Sequence, residues 1–420
     1  MGSSAPSNNN ESMIHLRPLF LLGIILTHST LSAEPVLVIS LNGIAERIRA
    51  QNPDLAAARL RIDEALGRMN QSGRLSNPDF DTSIEHNSNF REARAEIGIS
   101  QRFPVTDRLA LEKSITVTQL KTAEAEILDV ERKLIAQARL TVIEILALRQ
   151  RITLLQSQST LAESLAKQLT EASEKGEASK LDAGLAKLEI STLSVGIRQL
   201  EAAKTTAVGT LKPLLGMPPE TPLHIDGTLP EPTLPNASTD PSNRPDLKAA
   251  YLEADAAGKG VTLEQARRYD DIEASIFTAA ERSEDAPDGY DNEAIIGLRF
   301  RIPLPLWNNN EGNIQTARAT QRRKELEASA LNQNIRHEID SALQQMHEWR
   351  KLIDELTNDL IPLVNKQTAI AENALRKGEG DIQTVFRTRE KQLQLAAARL
   401  DALREFHLAR IHHESAIGNP

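Results

Sequence analysis

Metal coordination, acid–base catalysis and thiol chemistry each demand particular side chains at particular spacings, and this chain supplies few of them. Cysteine is absent, which removes a disulfide framework, a thiolate metal site, a cysteine nucleophile and a lipid-anchored N-terminal cysteine. The nine histidines form no HExxH and no i, i+4 pair, and His407, His412 and His413 read as a solvated face near the C-terminus. Past the leader, methionine occurs only at Met69, Met217 and Met346, too scattered for a soft-metal relay. No glycine-rich loop is built to cradle phosphate. Asp and Glu abound on helix flanks, where such charges are solvated or paired, so no catalytic dyad stands out. The expectation is a protein that is no enzyme and holds no cofactor and no metal. A net charge of -9 with a pI near 5.6 sets nucleic-acid binding aside.

The sequence instead specifies architecture. The passage Ile295 to Ala317 begins as an alternating strand and runs through a proline pair into a long helix, with Ala294, Ile296, Leu298, Phe300 and Ile302 on one side of the strand and Gly297, Arg299 and Arg301 on the other. Pro303 and Pro305 then deny the ladder its donors, and Asn308, Asn309 and Asn310 offer N-cap oxygens to a long helix. An earlier passage follows the same programme. Ser40 is placed to cap a short helix, Asn52-Pro53 to start a second, and Phe80, Thr82 and Ile84 alternate with Asp81, Ser83 and Glu85 before a turn at Asn87-Ser88-Asn89. Pro104 ends that hairpin. A helical pattern follows to Lys175, with a coiled-coil seam at Ile145, Leu148, Ile152, Leu155, Ser159, Ala162, Ala166 and Leu169. Gly176 is a C-terminal stop, and Ser179 with Asp182 reads as a capping box for an antiparallel return helix ending near Leu211.

After a linker holding nine prolines from Pro213 to Pro245, the programme repeats. Pro53-Asp54-Leu55 returns as Pro245-Asp246-Leu247, Gly98, Arg102 and Pro104 as Gly297, Arg301 and Pro303, and Lys175-Gly176-Glu177 as Lys377-Gly378-Glu379. The second hairpin alternates Ile272, Ala274 and Ile276 with Glu273, Ser275 and Phe277, then turns near Asp288-Gly289. The second long helix places Ile339, Ala342, Met346, Trp349, Ile353, Leu356, Leu360, Leu363, Gln367 and Ile370 on one heptad seam, which Pro362 is expected to bend. The expected division is a signal peptide at 1–33 and a first repeat at 34–212, with its hairpin at 76–103 and helix pair at 109–211. A proline-rich linker at 213–244 follows, then a second repeat at 245–420, with its hairpin at 270–302 and helix pair at 308–417.

The leader has His15 and Arg17 before the apolar run Leu19 to Leu26, and Leu31-Ser32-Ala33 as a cleavage site. That run falls short of the roughly 20 residues of a spanning helix, so export is expected. Only 3% of residues are aromatic, too few for a large globular core. Eight of the 13 aromatics, namely Phe80, Phe90, Phe103, Tyr269, Phe277, Tyr290, Phe300 and Trp307, fall in the hairpin regions, as interfacial girdles of a membrane barrel require. Four strands cannot close a barrel, but three chains would give twelve. The expected fold class is mainly α with a β-barrel part: long coiled-coil helices in a trimeric α-barrel, and four strands per chain in a 12-stranded transmembrane β-barrel.

In this order of motifs the chain resembles the outer-membrane efflux protein family of TolC-like channels. The likeness rests on Asn52-Pro53-Asp54-Leu55, the duplicated helix, hairpin and helix pair, Leu214-Leu215-Gly216-Met217-Pro218-Pro219, and Ile302-Pro303-Leu304-Pro305-Leu306-Trp307 with Glu311-Gly312. The resemblance implies a homotrimer in the outer membrane in contact with its lipid, with a periplasmic helical extension. It further implies a periplasmic adaptor and an inner-membrane pump as partners, and passive conduction. It places a periplasmic tip, gate and adaptor contact at Gly176, Ser179, Asp182, Leu375, Gly378, Glu379, Asp381, Thr384 and Arg387. The strand–helix junction falls at Pro104, Pro303, Pro305 and Trp307. An acidic gate does not carry over, because Thr384 and Arg387 stand where carboxylates can ring the constriction, and three Arg387 side chains would favour anions. The Pro-Leu-Pro-Leu-Trp passage is similar to the branch that serves heavy-metal and cation exporters of the resistance-nodulation-division type. Drug efflux and type I secretion share the outline, and a periplasmic coiled-coil scaffold without a pore is the alternative of another class.

Overall fold

A computed structural model describes residues 37–176, 179–235, 240–285, 287 and 289–419. The expected signal peptide lies outside the described residues. In chain order the elements are β1 (Leu37–Ile39), α1 (Ile44–Gln51), α2 (Pro53–Gln71), β2 (Asp79–His86), β3 (Ala93–Phe103), α3 (Arg108–Glu174), α4 (Lys180–Leu214), β4 (Leu223–Ile225), α5 (Pro245–Ala266), β5 (Ile272–Asp285), β6 (Gly289–Arg301), α6 (Glu311–Glu355), a π-helical turn (Leu356–Leu360), α7 (Ile361–Arg376) and α8 (Ile382–Ala416). At about 1.5 Å per residue, α3 alone is close to 100 Å long.

Local chemistry sets the ends. Asn52 Oδ1 accepts from Leu55 N at 2.8 Å, and its Nδ2 donates to Leu214 O at 2.8 Å, so one side chain caps α2 and ties it to the end of α4. Gly216 closes that contact. At φ 63° it sits so near Gln51 that a Cβ would lie 2.1 Å from the Gln51 carbonyl oxygen. Gly418 repeats the arrangement against Asn243 with φ 83°, so each half of the chain ends on a left-handed glycine packed over its own first corner. Two expected caps are absent. Ser40 makes no capping bond and instead precedes a 3-10 turn at Leu41–Gly43. Asn310 takes φ 60° and spends its amide on Glu264, while Asn308 Oδ1 accepts from Asn310 N at 3.0 Å. The strands β1 and β4, unforeseen in sequence, pair in parallel at Leu37–Leu223 through Ile39–Ile225.

The four hairpin strands form one antiparallel sheet in the order β2-β3-β5-β6. Its two faces are chemically distinct. Rows such as Phe80–Ile99–Ile276–Leu298 and Thr82–Ile97–Thr278–Ile296 make one face apolar. The other carries Asp79, Asp81, Glu96, Glu273, Glu281, Arg299 and Arg301, with Arg299 paired to Glu96 at 2.8 Å and Arg94 to Glu96 at 3.0 Å. Phe277 departs from the expected girdle, because its strand parity puts it on the polar face between Gly98 and Gly297. There a Cβ on Gly297 would lie 2.4 Å from the ring, and the Arg299 guanidinium stands 4.6 Å from its centroid.

The helices continue the strand order in two further layers. Next to the sheet, α2, α3, α5 and α6 pack side by side; beyond them the order is α4, α3, α8 and α6–α7. In every layer the outer members are an element of the first repeat and one of the second. The main core lies at mid-height, where Ile44, Ile48, Leu55, Ile135, Ile143, Leu146, Leu211, Leu215, Met346 and Phe406 are buried together. A buried Arg132 links the repeats there, holding Asp129 beside it on α3 and donating to Ser415 O at 3.0 Å on α8.

The expected seam of α3 packs inward along its whole length, with Ile145, Ile152, Ala162 and Ala166 buried. The seam of the second long helix holds only to Leu356. Beyond it Leu363 and Ile370 are 55% and 54% exposed, and the buried residues are Val364, Thr368 and Ala371, each one position later. The cause is the π-turn, in which Ile361 N donates to Leu356 O five residues back. Pro362 has no N–H to offer and its ring would strike the carbonyl four residues earlier, and the helix accommodates both by widening by one residue.

The C-terminal histidines also differ from expectation. His412 is exposed, but His407 and His413 are buried, because the last turns of α8 lie between α3 and α6 and beneath the linker. That linker is pinned through its carbonyls: Arg149 of α3 donates to Ile225 O at 2.6 Å, His407 Nε2 to Pro230 O at 2.8 Å, and Arg350 of α6 to Pro232 O. Burial pushes the His407 imidazole below its ordinary value, opposed in part by the bond to Pro230 O; Arg410 lowers it further, while Glu414 and Glu231 raise it.

Two expectations follow. Deleting Asn358 together with Pro362→Ala should turn the π-turn into plain α-helix and leave the melting temperature unchanged or higher. Deleting Lys366 instead should rotate Thr368 and Ala371 out of the seam and forfeit about 2 kcal/mol of burial, roughly 5 °C. Because the folded state disfavours protonated His407, its contribution is intact above the ordinary imidazole value and stability falls as pH drops below it. The fall in melting temperature between neutral and mildly acidic pH should be shallower in His407→Gln, measured by circular dichroism.

Candidate functional site

The helical turns far from the sheet bring together most of the residues expected at a gate. At the first, Gly176 has φ 78° and donates to Ser173 O at 3.2 Å. Ser179 Oγ then accepts from Leu181 N at 3.1 Å, while Asp182 contributes its backbone N–H to Ser179 O at 3.1 Å. Glu177 and Ala178 lie outside the described residues. The second turn is fully defined. Gly378 at φ 72° donates to Leu375 O at 3.1 Å and Glu379 N to Ala374 O at 3.0 Å, the six-to-one closure of a Schellman turn. Asp381 begins α8 by accepting from Thr384 N at 2.8 Å and from Thr384 Oγ1 at 2.7 Å. Those two bonds, the hydroxyl's first, hold its carboxyl below the usual range, and Arg387 adds a smaller pull.

These bonds divide the expected site residues by role. Ser179, Asp381 and Thr384 are committed to capping. Glu379 and Arg387 are exposed and join no salt bridge among the described residues, so their charges face solvent in the single chain. Leu375 turns inward. With Leu165, Leu169 and Ala172 of α3 and Val385 of α8 it lines a groove of about 420 Å³, closed at one side by Glu372 and Arg389 paired at 2.8 Å. Glu372 and Arg389 escaped the sequence reading. Their signal was an acid and a base 17 residues apart on either side of the glycine turn, the separation at which two antiparallel helices face each other.

At the other end of the helices, Pro104, Pro303 and Pro305 are half-buried where strands become helices, and Trp307 is 92% exposed. An ionic network holds the junction. Arg102 and Arg301 share Glu273, Arg108 reaches Asp271 at 2.6 Å and Glu112 at 3.1 Å, and Arg267 bridges Glu112 and Glu264. Asn310 joins through Glu264 at 2.9 Å. The cavity among them measures about 620 Å³ and is polar. Among the described residues no three histidine or carboxylate side chains converge as a metal site, and no helix is long and apolar enough to cross a membrane.

The profile of the family described as outer membrane efflux protein matches residues 44–217 and 241–419, the two halves that end beside Gly216 and Gly418. No curated protein matches by sequence. The fold is that of solved channels. The outer-membrane channel OprN aligns with a TM-score of 0.75 at 16% identity over 90% of each chain, and CusC with 0.75 at 16% over 90% of this chain and 92% of its own. The outer membrane protein VceC from Vibrio cholerae aligns with 0.74 at 18% over 90% and 96%. With both halves inside the family's profile, this chain belongs to the outer membrane efflux protein family and is an outer-membrane efflux channel.

Proposed function

We propose that three copies close into a 12-stranded membrane barrel continued by a helical tube, and that the tube receives cargo from an inner-membrane pump through a periplasmic adaptor. The observation that carries this reading is that all three layers of the chain end on unpartnered flanks. The β2 and β6 edges are unpaired, α2 and α6 bound the upper helices, and α4 and α6–α7 bound the lower ones. In each layer a first-repeat element is free on one side and a second-repeat element on the other, the geometry of a head-to-tail ring. Apolar stripes at seven-residue spacing mark the lower flanks: Leu181, Leu188 and Val195 on α4, and Leu363 and Ile370 on α7.

The helical turns are proposed as the periplasmic tip. Gly176 and Gly378 shape it, Asp182, Glu379 and Arg387 line or flank the opening, and the groove beside Leu375 takes the adaptor. Opening is a passive splaying of α7–α8 against α3–α4, in which the Glu372–Arg389 pair keeps α7 and α8 moving as one unit, and it is completed by adaptor binding. The pump is proposed to be of the resistance-nodulation-division type and the cargo metal cations. The support is the Pro303-Leu304-Pro305-Leu306-Trp307 passage. Metal ions would then pass without a dedicated binding cluster, and a ring of Arg387 would hold the resting tip shut to them by repulsion.

Detergent-extracted protein should run as a trimer and give discrete single-channel currents in planar bilayers. Arg387→Ala should raise the resting cation conductance several-fold and Arg387→Lys should leave it low. A conducting trimer indifferent to Arg387→Ala keeps the channel and moves the gate, whereas a monomer that never conducts ends the trimer reading.

A further inference from the structure

The apolar face of the sheet changes character at the end remote from the helices. Its rows run Phe80–Ile99–Ile276–Leu298, Thr82–Ile97–Thr278–Ile296 and Ile84–Ala95–Ala280–Ala294, and the next row outward is His86–Ala93–Arg282–Asn292. By strand parity Arg282 is the one lysine or arginine that β2, β3, β5 and β6 place on this face. Its guanidinium carbon stands 3.9 Å from the centroid of the Tyr290 ring, and it joins no salt bridge with a described carboxylate. The nearest acid on the same face, Glu284, is held by Arg91 at 3.0 Å. A guanidinium stacked on a ring keeps its N–H edge free to donate.

Directly inward of Arg282 the face is hollow. A depression of about 370 Å³ is floored there by Ala93, Ala95, Ala280 and Ala294, with Ile84, Arg282 and Asn292 of the same face around it and the opposite-parity residues Arg94, Glu281 and Glu293 also touching it. The rows farther inward carry Ile97, Ile276, Ile296 and Leu298, so the alanines leave a step in an otherwise bulky apolar surface. The depth fits a membrane boundary. Tyr290 and Phe300 are ten residues apart on β6, about 33 Å of strand and about 25 Å of membrane normal at a tilt near 40°, the height of the apolar band of an outer-membrane barrel.

We infer that Arg282, Tyr290 and the alanine-floored depression form a seat for one phosphorylated lipid of the outer leaflet per chain. The lipid phosphate accepts from the Arg282 guanidinium, and a stretch of acyl chain fills the hollow below it. The inference rests on the barrel reading, which turns this face to lipid. It adds a specific ligand to that surface, with a cation fixed by an aromatic ring at headgroup depth and room beneath it for hydrocarbon.

The test reconstitutes the full detergent-extracted chain into nanodiscs of phosphatidylcholine with a minor fraction of lipid A, then measures the lipid A retained per channel against the bulk ratio. The wild type should be enriched about fivefold, the effect of one basic side chain at an anionic surface. Arg282→Gln and Ala280→Leu, which fills the hollow, should each fall to the bulk ratio, while Arg301→Gln on the opposite face should leave the enrichment intact. Arg282→Lys keeps the charge and should retain most of it, which covers failure of the glutamine variant to fold. Wild-type protein at the bulk ratio, an enriched Arg282→Gln channel, or Arg282→Lys at the bulk ratio would overturn the inference. A chain that never enters the nanodiscs overturns the barrel reading and this inference with it.

Discussion

Backbone N–H and C=O groups cannot be left unpaired in hydrocarbon, where each one stranded costs several kcal/mol. That constraint bears on every part of this chain. Its sheet has four strands, with β2 and β6 unpaired on their outer sides, and one face as apolar as a membrane requires. Such a sheet is unfit for lipid alone and unfit for water, where its open edges would template aggregation. The helices inherit the same incompleteness, since α3 and α6 each continue a strand across a proline-bounded junction and keep the order of the sheet. The proposed ring of copies would satisfy strands and helices together, and it accounts for flanks that are open at all three levels and not at one.

Periodicity sets the second constraint. A straight α-helix and a heptad seam drift apart, so a helix long enough to span the periplasm must supercoil or change register. Both repeats face this problem and resolve it differently. In α3 the seam persists from Ile145 to Ala166. In the second repeat the chain inserts one residue at Leu356–Leu360, and Val364, Thr368 and Ala371 take over the inner face. The displaced Leu363 and Ile370 turn outward, where they supply an apolar stripe on the flank that the next copy is proposed to cover. The π-turn therefore fixes how α7 meets α8 and also what α7 shows to its other side.

Features that follow from periodicity or from a local bond were legible in the sequence. The alternating hairpins, the seam of α3, the Asn52 cap and the glycine turns at Gly176 and Gly378 each depend on residues within a few positions of one another. What was not legible depends on distant partners. His407 reads as polar until the linker is laid over α8 and its carbonyls need donors. Asn310 reads as a cap until Glu264 is brought beside it. Phe277 reads as a girdle residue because ring counts ignore parity, yet two glycines on neighbouring strands make the space it fills. The candidate tip was located by its glycines, but the groove between α3, α7 and α8 emerged only once the shifted register of α7 turned Leu375 toward α3, beside Val385 of α8.

The scarcity of aromatic residues follows from the same geometry. A wall one helix or one strand thick has no interior comparable to that of a globular domain, so large rings have few places to be enclosed. The chain concentrates its burial at mid-height, where α1, the ends of α4 and α8, and the linker add a further layer, and there Phe406 and Met346 are fully covered. Elsewhere cohesion within one copy rests on pairs spread along the wall: Arg132 with Asp129, Arg244 with Asp246, Glu372 with Arg389 and the arginine network at the junction. Ion pairs of this kind orient elements more than they stabilise them. A structure held in that way keeps its order of helices while leaving the thin end the least tied, which is the mechanical property that the proposed tube, closed at its tip, requires.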